Sequence, residues 1–306
     1  MPAYTLRIDK PFSLNLTLSC GQVFRWEMLA DGSWRGIVGN QVISIRQERD
    51  RLIFAGTGRR FIEHYFALDM DLNAITKSFD RDPFIHTAIA RCRGLRIIRQ
   101  PPWECLISYI CATNSNIPII RRRIENIARA FGTPIVTEWG IFYSFPEPAA
   151  LAGCCASVLS ECKAGYRGSY IQKTSCDIDN QKAWAEGIRS LSYDSARMEL
   201  MRYSGVGPKA ADCILLFGFQ KYEAFPVDVW IRRIIHKNYL REPGHNRSLT
   251  PKKYHAIRFF AWKHFGEYCG YAQEYLYAAR EEEIPLRHSG SGNDGDFGRS
   301  PRLRTI

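Results

Sequence analysis

Tyr203 to Val229 reads YSGVGPKAADCILLFGFQKYEAFPVDV, and this stretch governs how the rest of the chain is interpreted. It divides into a helix end, a Gly-Val-Gly hairpin, an apolar helix, a loop and Pro226-Val227-Asp228. Gly205 and Gly207 flank Val206 and let the turn reach dihedrals that other residues resist. Pro208 suits the first position of a helix, where its missing N–H costs nothing. The N–H groups of such a turn and helix start can bind a phosphate. Lys209 follows directly, and Asp228 stands nineteen residues further on.

Working outward, the 306 residues are enough for two or three domains. Hydrophobic residues make up 45% of them and aromatics 13%, which predicts packed cores rather than a disordered chain. The formal charge of +11 suits either a polyanionic partner or a solvated basic surface. No stretch approaches the ~20 apolar residues of a membrane span. The N-terminus, MPAYTLRIDKPF, has no apolar signal core, so an intracellular protein is expected, in a cytosol that holds DNA or in a nucleus. The ten cysteines are scattered and are read as reduced. The densest group, Cys154, Cys155 and Cys162, lacks the paired spacing of a zinc site or an iron–sulfur cluster, so neither a metal nor a cofactor is expected.

From Tyr4 to Gly58 the period is two, and Asp31-Gly32 and Gly39-Asn40 punctuate it as turns. This predicts an antiparallel sheet with one covered face. From Arg59 the apolar residues fall at helical spacing, and from Pro101 onward the pattern is nearly all helix, with 146–162 read as one of the helices. The expected class is α+β. A sheet domain with flanking helices covers 1–98, and a helical region covers 99–284, with two lobes and a cleft between them. A Gly/Ser/Arg-rich tail over 285–306 is expected to be disordered.

Lys209 is placed at the positive end of a helix dipole, which favours the free amine that a Schiff-base nucleophile requires, and burial would act in the same direction. The plainer reading is a lysine that contacts phosphate. Asp228 is either a helix N-cap or a carboxylate facing Lys209 and a cation forming on a sugar. Cys213, four residues after Lys209 on the same helix face, is either a buried small hydrophobe or a thiolate partner of the ammonium.

GVGPKAADC followed by FPVDV resembles the helix–hairpin–helix plus Gly/Pro–Asp signature of the base-excision DNA glycosylases. Within that superfamily the chain is most similar to the 8-oxoguanine DNA glycosylases of the eukaryotic type. Three further segments carry this likeness: Cys20-Gly21-Gln22-Val23-Phe24-Arg25-Trp26, the helix from Tyr109 that ends in Asn114-Ser115-Asn116, and Gly270-Tyr271-Ala272-Gln273 running on to Tyr277. The order and spacing agree over roughly the first 285 residues.

The resemblance implies a monomeric enzyme that acts on damaged double-stranded DNA held in the cleft. Lys209 would attack C1′ of a flipped nucleotide, and Asp228 would stabilise the oxocarbenium charge. The Gly21 carbonyl would accept the N7–H that 8-oxoguanine has and guanine lacks. Gln273 would read the Watson–Crick edge, Tyr277 and Cys213 would sandwich the base, and Phe24, Phe217 and Pro226 would shape the pocket. Asn114 would fill the vacated stack, Tyr166 would wedge beside it and Arg167 would contact the orphaned cytosine. Gly205, Val206 and Gly207 would grip the backbone. For each residue a structural role stands beside the functional one: Asn114 as a helix cap, Gly21 as a turn residue, Gln273 as a surface residue and Tyr277 as core. Ile119 replaces an arginine that helps recognise the opposite base, Trp230 a histidine, Phe217 a methionine and Tyr277 a phenylalanine. A glycosylase for other lesions and a non-catalytic DNA-binding protein are the alternatives.

Overall fold

The structure is a computed structural model and describes residues 2–240 and 249–280; the tail expected over 285–306 lies outside these residues. Five strands, β1 (Ala3–Arg7), β2 (Trp26–Met28), β3 (Trp34–Val38), β4 (Gln41–Glu48) and β5 (Arg51–Ala55), form one antiparallel sheet in the order β1-β5-β4-β3-β2. The period of two puts Leu6, Leu52, Phe54, Ile43, Ile45, Trp34 and Trp26 on one face, with Phe54 opposite Ile45 and Ile45 opposite Trp34. That face packs on Ile62, Tyr65 and Phe66, and Trp26 Nε1 donates to the Tyr65 hydroxyl at 2.9 Å.

The alternation is interrupted before β2, where the sequence predicted strand, and residues 23–25 also stay outside the sheet. Leu14–Ser19 is a helix, α1, whose N-cap Ser13 accepts from Leu16 N. Leu14, Asn15, Leu16, Thr17 and Leu18 fit both periods on paper. The cap and the inward Leu14, Thr17 and Leu18 decide for the helix, and Leu16 is left half-buried.

The remaining helices are α2 (Arg59–Tyr65), α3 (Leu72–Phe79), α4 (Pro83–Arg91), α5 (Pro102–Ala112), α6 (Ile117–Phe131), α7 (Pro148–Ala152), α8 (Ala156–Leu159), α9 (Arg167–Asp179), α10 (Trp184–Ser190), α11 (Tyr193–Leu200), α12 (Pro208–Phe219), α13 (Val229–Ile235), α14 (Pro251–Phe265) and α15 (Cys269–Ala278). Two findings depart from the all-helical expectation after Pro101. Pro134–Thr137 and Gly140–Tyr143 pair as a small hairpin, β6–β7, because PIVT and GIFY are rich in β-branched and aromatic residues. The stretch 146–162 is broken at Gly153 into α7 and α8, and a π-helical turn over Ser160–Ala164 follows, with Lys163 at φ +67°.

A second hydrophobic core joins α3, α4 and all the later helices. At its centre α5, α12 and α15 are buried on nearly every side, so each runs apolar with almost no polar stripe. The first core is built from the sheet, α1, α2, Ile98 and the connecting residues Phe12, Val23, Phe66 and Leu68.

Candidate active site

The chain turns at Tyr203–Gly207 and enters α12 with Lys209 in its first turn. Gly205 has φ +83°, and a Cβ there would lie 2.9 Å from a ring carbon of Tyr170 and 3.1 Å from Ile110, so both conformation and space require glycine. Gly207 is different: its backbone is extended (φ −89°, ψ 179°) and a Cβ would meet nothing within 4 Å. Val206 is buried and its N–H donates to Tyr203 O, so its side chain anchors the hairpin rather than facing a ligand. The N-terminus of α12 has no side-chain cap, which leaves its dipole and first N–H groups to an anion. Lys209 is exposed in the free protein, not buried.

Asp228 does cap a helix: its Oδ1 accepts from Ile231 N at 2.8 Å at the start of α13. Pro226 and Val227 before it are buried. What fixes this loop against α12 is a residue that sequence reasoning missed. Asp212, fully buried on α12, accepts from Tyr254 Oη at 2.6 Å, Tyr193 Oη at 2.7 Å and Arg197 Nε at 2.8 Å, and Arg258 lies at 3.5 Å. The Tyr254 oxygen in turn accepts from Val227 N at 3.3 Å. Burial pushes the Asp212 carboxyl up while Arg197 and Arg258 pull it down. The available signal was an acid inside the otherwise apolar AADCILLFGF.

Cys213 lies one turn below Lys209 and is buried. Burial pushes its thiol far up; Lys209 pulls it down, and Asp212, Glu274 and Asp228 push it further up. Burial thus disfavours the thiolate and supports the reading of Cys213 as a buried small hydrophobe. Lys209 and Asp228 therefore both act on the one buried sulfur.

Beside that sulfur, the two ends of the chain meet. Gly21 has φ +98°, and a Cβ there would lie 3.1 Å from Ile117 Cδ1 and 3.9 Å from the Tyr277 ring. Gln22 pins this turn: Nε2 donates to Thr17 O and Arg96 O, both at 2.9 Å, Oε1 accepts from Ile98 N at 2.8 Å, and its carbonyl accepts from Gln100 Nε2 at 2.6 Å. The Phe24 ring meets Tyr109 edge-on at 5.8 Å, and Tyr109 stacks on Phe217 at 5.8 Å. Burial raises the Tyr109 phenol, and so do its neighbours Cys213, Cys105, Glu274 and Cys20. Burial also pushes the Tyr277 phenol up to about 12, despite the opposing pull of Arg280. The Arg280 guanidinium lies 3.5 Å over the Tyr277 ring and donates to the Tyr277 carbonyl.

Gln273 is buried rather than on the surface, and its Oε1 has no hydrogen-bond partner. Next to it Glu274 is also buried, with Oε2 unpartnered. Burial raises the Glu274 carboxyl to about 7, opposed by Cys20, Arg280 and Gln273, and reinforced by Asp228. Sequence reasoning singled out neither Glu274 nor Cys20, Ile117 or Arg280 for this site. The signal for Glu274 was an acid on a helix too apolar to expose it.

The turn after α5 forms a separate patch. Asn114 is exposed at φ +49°, beyond the helix end. Arg123 NH1 donates to Cys111 O at 2.9 Å and to Ser115 Oγ at 2.8 Å. Arg167 is buried and donates to the carbonyls of Thr113 and Asn114, so in this state its guanidinium holds the turn instead of standing free for a base. It also lies 4.3 Å over the exposed Tyr166 ring. Ile119 is exposed at the start of α6, and Trp230 packs against Arg233 at 5.2 Å. Among the described residues no group of three or more His, Cys, Asp or Glu is placed to hold a metal ion, and no helix is long and apolar enough to cross a membrane.

Comparison with known proteins gives a consistent result. Residues 5–106 match the model of the 8-oxoguanine DNA glycosylase N-terminal domain. A probable N-glycosylase/DNA lyase of Methanothermobacter thermautotrophicus is 36% identical over 261 residues, which is 77% of this chain and 80% of that protein. The apo crystal structure of the Clostridium acetobutylicum 8-oxoguanine glycosylase/lyase superposes with a TM-score of 0.84 at 33% identity, covering 91% of this chain and 96% of that one. Its complex with double-stranded DNA containing cytosine opposite 8-oxoguanine superposes at 0.83 and 32% identity, covering 92% and 98%.

Proposed function

The chain belongs to the family of 8-oxoguanine DNA glycosylase/lyases, and from that premise we propose that it excises 8-oxoguanine from duplex DNA and then cleaves the strand. What supports this reading is that Lys209 in the first turn of α12 and Asp228 at the N-cap of α13 both act on the buried Cys213 thiol, with the Gly21 turn packed near the Tyr277 ring.

The uncapped start of α12 grips a phosphate, and the target nucleotide rotates out of the stack. Asn114, already beyond the helix end in a left-handed conformation, fills the space left behind, with Tyr166 beside it. The base enters between Tyr277 and Cys213, a neutral sulfur that suits a π face. The Gly21 carbonyl accepts N7–H, and guanine, which has none, leaves that acceptor unpaired. The bound nucleotide covers Lys209 and desolvates its amine. Nζ forms a bond to C1′ as the C1′–N9 bond breaks, and the base leaves with the electron pair and takes up a proton. Asp228 keeps Oδ1 on the helix and turns Oδ2 to the sugar cation. The ring-opened Schiff base then loses a C2′ proton and expels the 3′ phosphate. Water finally releases Lys209.

The enzyme works as a monomer on damaged DNA inside the cell. The exposed Ile119 side chain supplies no donor for the opposite base, which departs from the family pattern at that position. Borohydride trapping on a duplex with one 8-oxoguanine tests the mechanism. Wild type should form a covalent adduct. Absence of that adduct, or its persistence in Lys209→Gln, would overturn the proposal.

A further inference from the structure

We propose that Arg123 is a positioning residue that holds the two parts of the wedge, the Asn114 turn and the Tyr166 loop, at a fixed spacing before DNA is met. The inference rests on the functional reading above, in which Asn114 fills the space of the flipped nucleotide and Tyr166 stands beside it. The two residues come from different segments of the chain, so their spacing has to be set by bonds between those segments. Both segments also carry a left-handed residue other than glycine, Asn114 at φ +49° and Lys163 at φ +67°. Such a backbone persists only where its surroundings impose it.

Arg123 is half-buried on α6 and bonds to both segments at once. Its Nη1 donates to Cys111 O at 2.9 Å, at the end of α5, and to Ser115 Oγ at 2.8 Å, on the residue after Asn114. Its Nε donates to Lys163 O at 2.8 Å, in the π-helical turn that runs through Gly165 into Tyr166. Asn126, also on α6, donates from Nδ2 to Cys162 O at 3.3 Å, so the helix holds two successive carbonyls of that turn. A guanidinium suits this task because its N–H groups point in fixed directions in one plane, whereas an ammonium is a compact charge on a flexible stem. Arg167 makes the other link between the segments, through the Thr113 and Asn114 carbonyls. That link belongs to the wedge itself and is given up if Arg167 turns toward the opposite strand. The Arg123 bonds do not depend on it. A wedge held in this way loses little conformational freedom on entering the stack.

The full chain would be compared with Arg123→Met and Arg123→Lys in three measurements. The first is single-turnover excision of 8-oxoguanine from duplex DNA. The second is stopped-flow fluorescence of a 2-aminopurine beside the lesion, which reports unstacking. The third is cleavage of a preformed abasic site. In Arg123→Met the unstacking and excision rates should fall together by roughly tenfold, as expected when charged hydrogen bonds that fix a working geometry are removed. Abasic cleavage should stay within about twofold, because no base has to leave the stack. Arg123→Lys keeps the charge but not the fork, so it should unstack as slowly as the methionine variant while binding undamaged duplex as wild type does. Unstacking at the wild-type rate in Arg123→Met, or abasic cleavage that falls in parallel, would overturn the assignment. Wild-type unstacking in Arg123→Lys would overturn it as well, since charge alone would then suffice. A wild type that binds the duplex and excises no 8-oxoguanine would instead sink the functional reading on which this one rests.

Discussion

Lys209 is exposed and Asp228 half-buried, each in the opening turn of a helix or capping one, whereas Gln273 and Glu274 lie on a helix buried almost all round. On the proposed function, the sugar chemistry is mounted on helix ends and the base reading inside a core. A helix end is specified locally: a hairpin, a proline, a cap. A buried pocket exists only after the N-terminal turn at Gly21, the α5 tyrosine and α15 have been brought together. The first half should lose chemistry when altered and keep its shape; the second should lose selectivity and shift in stability.

Lys209→Gln separates the halves most sharply. Excision and trapping should fall by about 10³-fold or more, as expected when a covalent nucleophile is removed. The thermal melting curve should barely move, because the side chain is exposed. Binding to 8-oxoguanine duplex, read by fluorescence anisotropy, should persist. A variant that also lost binding would show that Lys209 belongs to the recognition half too.

Gly21→Ala is the converse. The new methyl would sit at φ +98°, 3.1 Å from Ile117 Cδ1, and would displace the carbonyl proposed to accept N7–H. Excision of 8-oxoguanine should drop about 10²-fold, in the range of losing a buried, discriminating contact. Cleavage of an abasic site should survive nearly intact. Equal loss of both would mean that the turn supports the catalytic lysine rather than the base.

The same division explains what the sequence revealed. The helix–hairpin–helix, Lys209, Asp228 and the sheet were legible because each is a short-range pattern of glycine, proline and period. The α1 helix was not, since Leu14-Asn15-Leu16-Thr17-Leu18 satisfies both periods and only the Ser13 cap and tertiary packing choose. Asp212 was visible as an acid in an apolar helix, yet its two tyrosines and two arginines come from α11 and α14. Arg167 illustrates the reverse: the residue was singled out, but its buried position and carbonyl partners depend on how the Asn114 turn folds back.

Glu274 makes the pocket half sensitive to pH. Its carboxyl is raised from 4.5 to about 7, chiefly by burial, among Cys20, Gln273, Asp228, Tyr277 and Arg280. The folded protein therefore holds this proton more tightly than the unfolded chain. As pH rises from ~4.5 to ~7 the unfolded state releases it first, and folding stability falls; above ~7 both states are ionised and this contribution levels off. Glu274→Gln removes the titration. In paired denaturant melts the variant should gain on wild type by about 3 kcal/mol as the pH moves from 4.5 to 8. A difference that stays flat with pH would place the carboxyl in water.

The smallest predicted effect sharpens the helix-end half from within. Gly205 and Gly207 read alike in sequence but differ in backbone and surroundings. Gly205→Ala must accept φ +83° and push the Tyr170 ring, which should cost about 1–3 kcal/mol in melting experiments. Gly207→Ala adopts its existing extended backbone, and its methyl meets no protein atom within 4 Å, so stability should stay within about 0.5 kcal/mol. Its effect belongs on DNA: the methyl projects where the phosphate would approach α12, and affinity for undamaged duplex should fall severalfold at low salt. If Gly207→Ala binds as wild type does, the phosphate is held further from the hairpin than the uncapped helix start implies.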